Sequence, residues 1–185
     1  MIVAALIREI IHYEPESGVM TWHPRSLNWF PSARIMKGWN SRLAGKSALD
    51  CRDAYGYRVG RIQNRMYKAH RVAWAYYYGE WPEKHIDHVN HDRADNRIEN
   101  LRAVDSAGNQ RNMARFRTNT SGVTGVYWHK GSEKWTAQVS VEGASQYLGI
   151  FPTLDDAANA RASAERLYGF HENHGKTVEF IPQIA

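Results

Sequence analysis

The fold is decided by residues 85–112, which run His85-Ile-Asp-His-Val-Asn-His-Asp-Arg-Ala-Asp-Asn-Arg-Ile-Glu-Asn-Leu-Arg-Ala-Val-Asp-Ser-Ala-Gly-Asn-Gln-Arg-Asn112. Two short segments, His85-Ile86 and Leu101 to Val104, enclose a polar loop and predict two strands. Ser106 is a favourable N-cap residue and predicts a helix that carries Asn109. The stretch is therefore expected to form a strand, loop, strand, helix unit, in which the end of the first strand meets the face of the helix.

The same stretch contains residue types that suit phosphodiester hydrolysis. That reaction needs a general base to activate water and a hard cation to neutralise the phosphate and the leaving oxygen. Asp87 offers a charged oxygen ligand and Asn109 a neutral amide oxygen, and hard cations prefer oxygen ligands. His88 is the natural base at neutral pH, because the unperturbed pKa of histidine is about 6.5.

Two other interpretations of these histidines stay open at this point. The three-residue spacing of His85, His88 and His91 also suits a zinc site. Adjacent aspartate and histidine residues also occur in ordinary solvated loops, where they have no chemical role.

The order and spacing of the polar residues resemble those of the HNH endonucleases, in particular the phage and intron-encoded homing type. The matching blocks are Asp87-His88, Asp95 to Leu101 and Asn109 to Asn112. The resemblance implies an α+β protein with a ββα-metal core, the HNH or His-Me finger. It also implies a DNA endonuclease that holds one Mg2+, or another divalent cation such as Mn2+, and leaves 5′-phosphate and 3′-hydroxyl ends.

The resemblance assigns roles to individual residues. Asp87 and Asn109 correspond to the two metal ligands, and His88 corresponds to the general base. Asn100 corresponds to the central asparagine that braces the loop and orients the base. The supporting asparagines of the same pattern are Asn96 and Asn112.

Two further features bear on this resemblance. Gly108 stands where the family more often has an acidic residue, and it weakens a helix by about 1 kcal/mol relative to alanine. The upstream segment Ala69 to Trp74, followed by Gly79, is similar to the segment that precedes this nuclease motif in phage proteins. His70 within it is predicted to start a helix or to pack, not to catalyse.

Composition and charge favour a globular protein with a polyanionic partner. The chain has 185 residues and 12% aromatic side chains, which excludes intrinsic disorder. Residues 1–117 hold 19 basic and 12 acidic side chains, whereas residues 118–175 hold 4 and 6. The basic excess favours double-stranded DNA through counterion release, although a merely solvated basic surface would have the same composition.

The sequence predicts a soluble monomer in a reducing compartment, the cytoplasm of the host cell if the protein is encoded by a phage. Cys51 is the single cysteine, so no disulfide can form within the chain, and no cysteine-rich zinc module is possible. The apolar start Met1 to Ile7 runs directly into Arg8 and predicts an amphipathic helix, not a signal or a membrane span. The sequence contains no heptad pattern that would indicate a dimer.

Residues 1–82 are predicted to be an N-terminal α+β region that leads into the nuclease motif at residues 83–117. Residues 24–55 show no clean periodicity and predict a long loop over a basic surface. The other expected elements are a helix over residues 2–12, a strand over Val19–Trp22, a hairpin with strands at residues 57–62 and 66–69, and a helix from His70 to Gly79.

Residues 118–175 are predicted to form a separate module behind the linker-like segment Thr118 to Gly122, and residues 176–185 a tail. Thr153 with Asp156 predicts the start of an alanine-rich helix, and Gly169 its end. One sheet face is expected to be polar, and the other to pack on the helix. The expected elements are strands at 125–130, 134–141 and 145–151 and a helix at 154–168 whose inner stripe is Ala157, Ala160, Ala164 and Leu167.

This module resembles the plant Apetala-two or ethylene-response-factor DNA-binding domain. The similarity rests on Gly125-Val126, Lys134-Trp135, Leu148 to Phe151 and Asp156 to Ala158. It implies a three-stranded antiparallel sheet, packed on one helix and laid into the DNA major groove. The plant domains use several arginines that are missing here, so only the docking mode is transferred. The residues implied to face DNA are Tyr127, His129, Lys134, Gln138, Ser140 and Tyr147.

Together these features predict a site-selecting, metal-dependent DNA endonuclease that nicks DNA at its single Asp87-His88 site. Arg111, Arg115 and Arg117 add predicted DNA contacts in a segment without acidic residues. A sheet that only buttresses the nuclease is an alternative for the last module. For the whole chain, the rival functions are a non-catalytic DNA-binding regulator with a relic motif and a structural or assembly protein. The first would be free to lose the site residues, and nothing in the sequence favours the second.

Overall fold

The structure is a computed structural model that describes residues 2–105, 108–109, 111–116 and 118–176. It is a mixed α/β protein that divides into two compact units, Met1–Val104 and Asp105–Ala185. None of the described helices is both long and apolar enough to cross a membrane.

The first unit is built from short helices and antiparallel strands. Strands β1 and β2 pair, β4 lies between β3 and β5, and β6 pairs with β7. In chain order the elements are α1 (Ala4–Ile10), β1 (Ile11–Tyr13), β2 (Met20–Trp22), a 3-10 helix (Leu27–Trp29), α2 (Ala33–Leu43), β3 (Cys51–Arg52), β4 (Arg58–Ile62), β5 (Arg65–Lys68), α3 (Ala69–Tyr78), β6 (His85–His88), a 3-10 helix (Ile98–Asn100) and β7 (Leu101–Val104).

The core of this unit lies between α1, α3 and the neighbouring strands. Ile7 and Ile10 of α1 and Val72 of α3 are completely buried, because each helix turns one apolar face toward the other. Burying a side chain of this size contributes about 1.5–3 kcal/mol. Ile86 of β6 and Leu101 of β7 belong to the same cluster, so the core directly supports the β6–β7 hairpin.

The predicted β4–β5 hairpin and the end of α3 are confirmed. Gln63 and Asn64 connect the two strands with positive φ values of 48° and 62°, as in a type I′ turn. Helix α3 ends at Gly79, whose φ of 83° lies in the left-handed region that favours glycine.

The predicted first helix is too long at its C-terminal end. Helix α1 ends at Ile10, because the next three residues pair as a strand with Met20–Trp22. Pairing with β2 gives the backbone N–H and C=O groups of Ile11–Tyr13 the hydrogen-bond partners that they would otherwise have in a longer helix. Ile11 and Tyr13 are both buried, so the apolar residues that suggested a helix alternate inward along β1.

The prediction of one long loop over residues 24–55 is wrong. Helix α2 occupies Ala33–Leu43, and the Oγ of its N-cap Ser32 accepts a hydrogen bond from the Ile35 N–H. Three of the four residues on the half-buried face of α2 are apolar and recur at helical spacing, so the apolar period is present in the sequence, among prolines, glycines and basic residues that are typical of a loop. That face consists of Met36, Trp39, Asn40 and Leu43.

The second unit contains a three-stranded antiparallel sheet and a helix that contacts all three strands. The strands are β8 (Val126–His129), β9 (Lys134–Val141) and β10 (Ala144–Phe151), with β9 in the middle, and the helix is α4 (Leu154–Leu167). The N-cap predicted for this helix is confirmed, since Thr153 Oγ1 accepts a hydrogen bond from the Asp156 N–H at 3.1 Å. Val126, Ala137 and Ala157 form the buried centre.

The predicted inner stripe of α4 is wrong at one position. Leu167 is 77% exposed, whereas Arg161 is 3% exposed. The Arg161 guanidinium donates to the Gln138 carbonyl at 2.6 Å and to Glu165 Oε1 at 2.8 Å. A buried arginine therefore ties the helix to the middle strand, which an apolar periodicity does not predict.

The segment before the predicted linker belongs to the second unit by its hydrogen bonds. The carbonyls of Arg111 and Met113 accept from the N–H groups of His171 and Gly175. The units divide between Val104 and Asp105, while the predicted module boundary lies at residue 118. The predicted helix cap Ser106 lies outside the described residues.

Candidate active site

His88 lies at the end of β6 with its imidazole inside the protein. It is only 3% exposed, and burial lowers its pKa below the usual value, although the contact with Asn96 and the nearby aspartates oppose that shift. Its Nε2 lies 3.4 Å from Asn96 Oδ1. The tautomer with the proton on Nε2 satisfies this contact. A neutral imidazole in this state can accept a proton at neutral pH.

Two aromatic rings enclose the His88 imidazole. The His70 ring lies 4.9 Å away at an interplanar angle of 80°, and the Tyr57 ring lies 5.9 Å away. Burial lowers the pKa of His70 to about 2, with a further contribution from His88. His70 Nδ1 has no hydrogen-bond partner among the described residues. His70 therefore packs near the start of α3, as predicted, and does so directly against the candidate base.

Asp87 faces an arginine across the hairpin. The strand register places Asp87 opposite Arg102, whose Nε and Nη2 donate to Asp87 Oδ2 at 3.1 and 3.0 Å. The Asp87 side chain is 13% exposed, so this ion pair is better shielded from water than a surface pair. Arg102 has no local signal in the sequence, because only the strand register brings a residue fifteen positions away to Asp87.

Asn100 holds the loop between β6 and β7. Its Oδ1 accepts from the Asn90 N–H and its Nδ2 donates to the Asp95 carbonyl, both at 2.9 Å. Its backbone carbonyl also accepts from the Val89 N–H at 2.9 Å. These hydrogen bonds fasten both sides of the loop to one buried side chain.

Asn96 and Asp95 fix the opposite part of the loop. Asn96 is buried beside His88, and its carbonyl accepts a hydrogen bond from the Tyr13 hydroxyl at 2.7 Å. Burial alone would raise the pKa of Asp95, but hydrogen bonds and charge from Arg97 bring it below the usual value. The loop is thus anchored to the β1 strand through Tyr13 and braced by an internal ion pair.

The other predicted asparagines lie in the second unit. Gly108 and Asn109 are helical, and the Asp105 carboxylate accepts from the Gly108 N–H at 2.7 Å in the manner of an N-cap. Asn109 is exposed, whereas Asn112 is buried and donates its N–H to the Asn109 carbonyl at 3.2 Å. Their predicted roles as metal ligand and supporting residue stay predictions.

Comparison with known proteins agrees with this arrangement. Residues 67–111, which include both strands of the hairpin, match a family model described as HNH endonuclease. The chain is also 34% identical over 109 residues to Protein 3.8 of Escherichia phage T7, a match that covers 57% of this chain and 90% of that protein. The chain belongs to the family of T7 Protein 3.8 and carries an HNH endonuclease domain. No solved structure matches it.

The donors of the HNH domain fit a hard divalent cation and not zinc. Within the described part of the chain, no three His, Cys, Asp or Glu residues lie together in a way that could hold a metal. His85 is exposed and His88 buried, because residues three apart on a strand point to opposite faces. The zinc interpretation of His85, His88 and His91 is therefore wrong. The predicted ligands, the Asp87 carboxylate and the Asn109 amide oxygen, are of the type that Mg2+ prefers.

The residues predicted to read DNA share one face of the second unit's sheet. The register pairs His129 with Lys134 and Tyr147 with Gln138, and cross-strand partners point to the same side. This face lies opposite α4, which packs on the side of Val126 and Ala137. The six residues on it are Tyr127, His129, Lys134, Gln138, Ser140 and Tyr147.

The predicted arginine contacts precede this sheet. The Arg115 guanidinium donates to the Gly122 carbonyl, so part of its function is to hold the neighbouring turn. Arg111 is half-buried. Arg117 lies outside the described residues.

Proposed function

We propose that this protein is a metal-dependent DNA endonuclease that nicks double-stranded DNA. The observation that carries this proposal is a buried, neutral His88 beside Asp87 at the end of β6, inside an HNH endonuclease domain. A base that stays neutral at cellular pH, next to an oxygen ligand for a cation, is the combination that phosphodiester hydrolysis requires.

In this mechanism the His88 imidazole accepts the proton of the attacking water. The Asn96 amide oxygen holds the Nε2 proton and so fixes the ring and its tautomer. Asp87 and, as the family resemblance implies, Asn109 would hold a divalent cation such as Mg2+ or Mn2+, which would neutralise the charge of the phosphate and of the leaving oxygen. Arg102 orients the Asp87 carboxylate through Oδ2. The products carry 5′-phosphate and 3′-hydroxyl ends.

The second unit acts as the DNA reader in this proposal. Its three-stranded sheet on one helix supports the resemblance to the Apetala-two and ethylene-response-factor domains, with the polar face of the sheet in the major groove. The relationship to a phage protein supports action in the cytoplasm of the host cell. A monomer has a single Asp87-His88 site, and in-line attack fixes the direction of the strand across it. Nicks are therefore expected before double-strand breaks.

Incubation with supercoiled plasmid, with and without Mg2+, tests the proposal. Relaxed circles should accumulate ahead of linear DNA in Mg2+, and EDTA should stop the reaction. The variant His88→Ala should lose on the order of 100-fold or more in rate, because the base is removed. His85→Ala is the matched control, since His85 lies on the same strand but is exposed, and it should cut like the unmodified protein.

Three results would contradict parts of the proposal. Equal rates for His88→Ala and the unmodified protein would remove His88 as the base. DNA binding without any cleavage would support the non-catalytic regulator. Linear product appearing first, with a dimeric mass in solution, would show that two sites act together.

A further inference from the structure

A long segment of the first unit outside the HNH match carries only positive charge. From Ser17 to Leu49 the chain has no acidic residue, but it contains Arg25, Arg34, Lys37, Arg42 and Lys46. Three of these cations lie on helix α2, which has no buried residue. The HNH match at residues 67–111 does not include this helix, so the nuclease motif does not account for its charge.

Helix α2 is held firmly from its inner side. Asn40 makes two hydrogen bonds to the backbone of Arg25, accepting from its N–H and donating to its carbonyl, both at 2.9 Å. The Arg25 guanidinium lies over the rings of Trp22, Trp29 and Trp39, at 4.1 Å from the Trp39 centroid. Such cation–π contacts and the paired hydrogen bonds fix the helix against β2. Its outer face therefore has a defined orientation.

The outer face of α2 is a continuous cationic surface. Arg34, Lys37, Gly38, Ser41 and Arg42 are all exposed and recur at intervals of three and four residues, so they lie on one side of the helix. The opposite side, which includes Trp39 and Asn40, is the half-buried one. A row of cations at helical spacing along one face complements the phosphates of a nucleic acid backbone.

Gly38 in the middle of this face supports a close approach of a ligand. A Cβ added at Gly38 would meet nothing within 4 Å, so internal packing does not require a glycine. Glycine is also among the least favourable residues inside a helix. An exposed glycine between cations lets another backbone come close to the helix.

We propose that the outer face of α2 is a second DNA-binding surface, which contacts backbone phosphates of the double-stranded substrate through Arg34, Lys37 and Arg42. This inference rests on the proposed endonuclease function and names a surface that neither the nuclease motif nor the second unit supplies. Phosphate contacts add affinity without reading sequence, so α2 anchors the duplex while other residues choose the site.

The salt dependence of DNA binding tests this surface separately from catalysis. In the full chain carrying His88→Ala, kept in EDTA so that the DNA is not cut, binding of a fluorescent duplex is measured by anisotropy between 50 and 200 mM KCl, concentrations at which phosphate contacts have a large effect on affinity. The slope of log affinity against log salt should fall in magnitude by about 2 to 3 when Arg34, Lys37 and Arg42 are all replaced by Gln, since each phosphate contact contributes about 0.9.

A second triple variant controls for net charge. Arg52, Arg61 and Arg65 are exposed cations of the β3–β5 sheet in the same unit. Their replacement by Gln changes the net charge equally. It should, however, reduce the magnitude of the slope by less than the value of about 0.9 that one phosphate contact contributes. Equal loss in both variants would overturn the proposal, as would an unchanged slope in the α2 variant. Tighter binding of single-stranded RNA than of the duplex, lost in the α2 variant, would also overturn it.

Gly38→Gln gives an independent test that does not change charge. The melting temperature should stay the same or rise, because glutamine is the better helix former and its side chain points into open space. Duplex affinity should nevertheless fall several-fold, because the side chain keeps the DNA backbone away. Unchanged affinity with a raised melting temperature would contradict a close approach at α2. Failure of the endonuclease function would instead appear as absence of Mg2+-dependent nicking by the unmodified protein, with these binding results unaffected.

Discussion

The β6–β7 hairpin and the β8–β10 sheet are both rich in polar residues, but they place them in opposite environments. His88, Asn96 and Asn100 of the hairpin are between 2% and 5% exposed. Tyr127 and Tyr147 of the sheet are 44% and 67% exposed. Buried polar groups need partners inside the protein, which fixes their geometry, whereas exposed ones keep contact with water until a ligand replaces it. The first environment suits chemistry and the second suits recognition.

This difference predicts different consequences of mutation. A buried asparagine that loses its partner costs about 1–3 kcal/mol and also displaces the residues it holds. An exposed side chain on an open sheet contributes little to folding. Changes in the hairpin should therefore affect rate and stability together, and changes on the sheet face should affect only DNA selection.

The largest expected effect is loss of the charged metal ligand. Asp87→Ala should abolish Mg2+-dependent nicking, because it removes the only anionic oxygen among the proposed ligands. Asn109→Ala should weaken Mg2+ binding more mildly, so that nicking needs a higher Mg2+ concentration, since it removes a neutral oxygen. Plasmid nicking over a series of Mg2+ concentrations measures both. Full activity of Asp87→Ala, or full activity in EDTA, would contradict the metal mechanism.

Asn100→Ala should have the next largest effect. It removes both side-chain hydrogen bonds that brace the loop, and the loss of such an orienting residue typically lowers activity about 10- to 100-fold. Thermal denaturation should also show a lower melting temperature. Asn90→Ala is the comparison, because it removes the exposed hydrogen bonds of the Asn90 side chain to Asp95 and Asp92 in the same loop but leaves the Asn100 brace in place, so it should cost less activity. If both variants cut equally well, Asn100 does not position the site.

The fold and the candidate site were only partly predictable from the sequence. The two strands of the hairpin follow from short apolar segments around a polar loop, and the start and end of α4 and the end of α3 follow from Thr153, Gly169 and Gly79, because caps and glycine stops are local signals. The pairing of Arg102 with Asp87 depends on strand register, and the packing of His70 on His88 depends on tertiary contacts. Neither leaves a local pattern in the sequence.

Helix α2 and Arg161 were also not predicted from the sequence, because polar residues with distant partners hold them in place. The inner face of α2 carries Met36, Trp39 and Leu43 at helical spacing, but the contacts that hold it are the aromatic rings around Arg25 and the hydrogen bonds from Asn40, which no local pattern predicts. Arg161 is buried through charge-assisted hydrogen bonds. Polar groups that are satisfied by distant partners look like surface residues in a sequence.

The buried histidines make a prediction about stability and pH. Burial lowers the pKa of His70 and of His88 in the folded protein, so the unfolded chain binds more protons below about pH 6.5. Their contribution to the free energy of unfolding is therefore fully present above that pH. It is lost as the pH falls, by at most about 1.4 kcal/mol per pH unit for each histidine.

Urea denaturation at pH 7.5 and 5.5 in the absence of metal measures this loss. His70→Phe should make the free energy of unfolding less dependent on pH, because a titrating group is removed and its Nδ1 forms no hydrogen bond in the described structure. Identical pH dependence in the unmodified protein and in His70→Phe would show that His70 does not control acid stability.

The smallest effect is expected on the sheet face of the second unit, where it should change selection and not rate. Tyr127 and Tyr147 are exposed on the face opposite α4, so Ala substitutions at both positions should leave the melting temperature and the total nicking rate nearly unchanged. Sequencing of the nicked ends from a mixed-sequence plasmid should show several-fold weaker preference for the favoured sites, because contacts to base edges are lost while phosphate contacts remain. Leu167→Ala is the control, since Leu167 is also exposed but lies on α4, away from that face. An unchanged pattern in the double variant would mean that the sheet only supports the nuclease. The buried hairpin would then still be the site of chemistry, but the exposed sheet face would not be a site of DNA recognition.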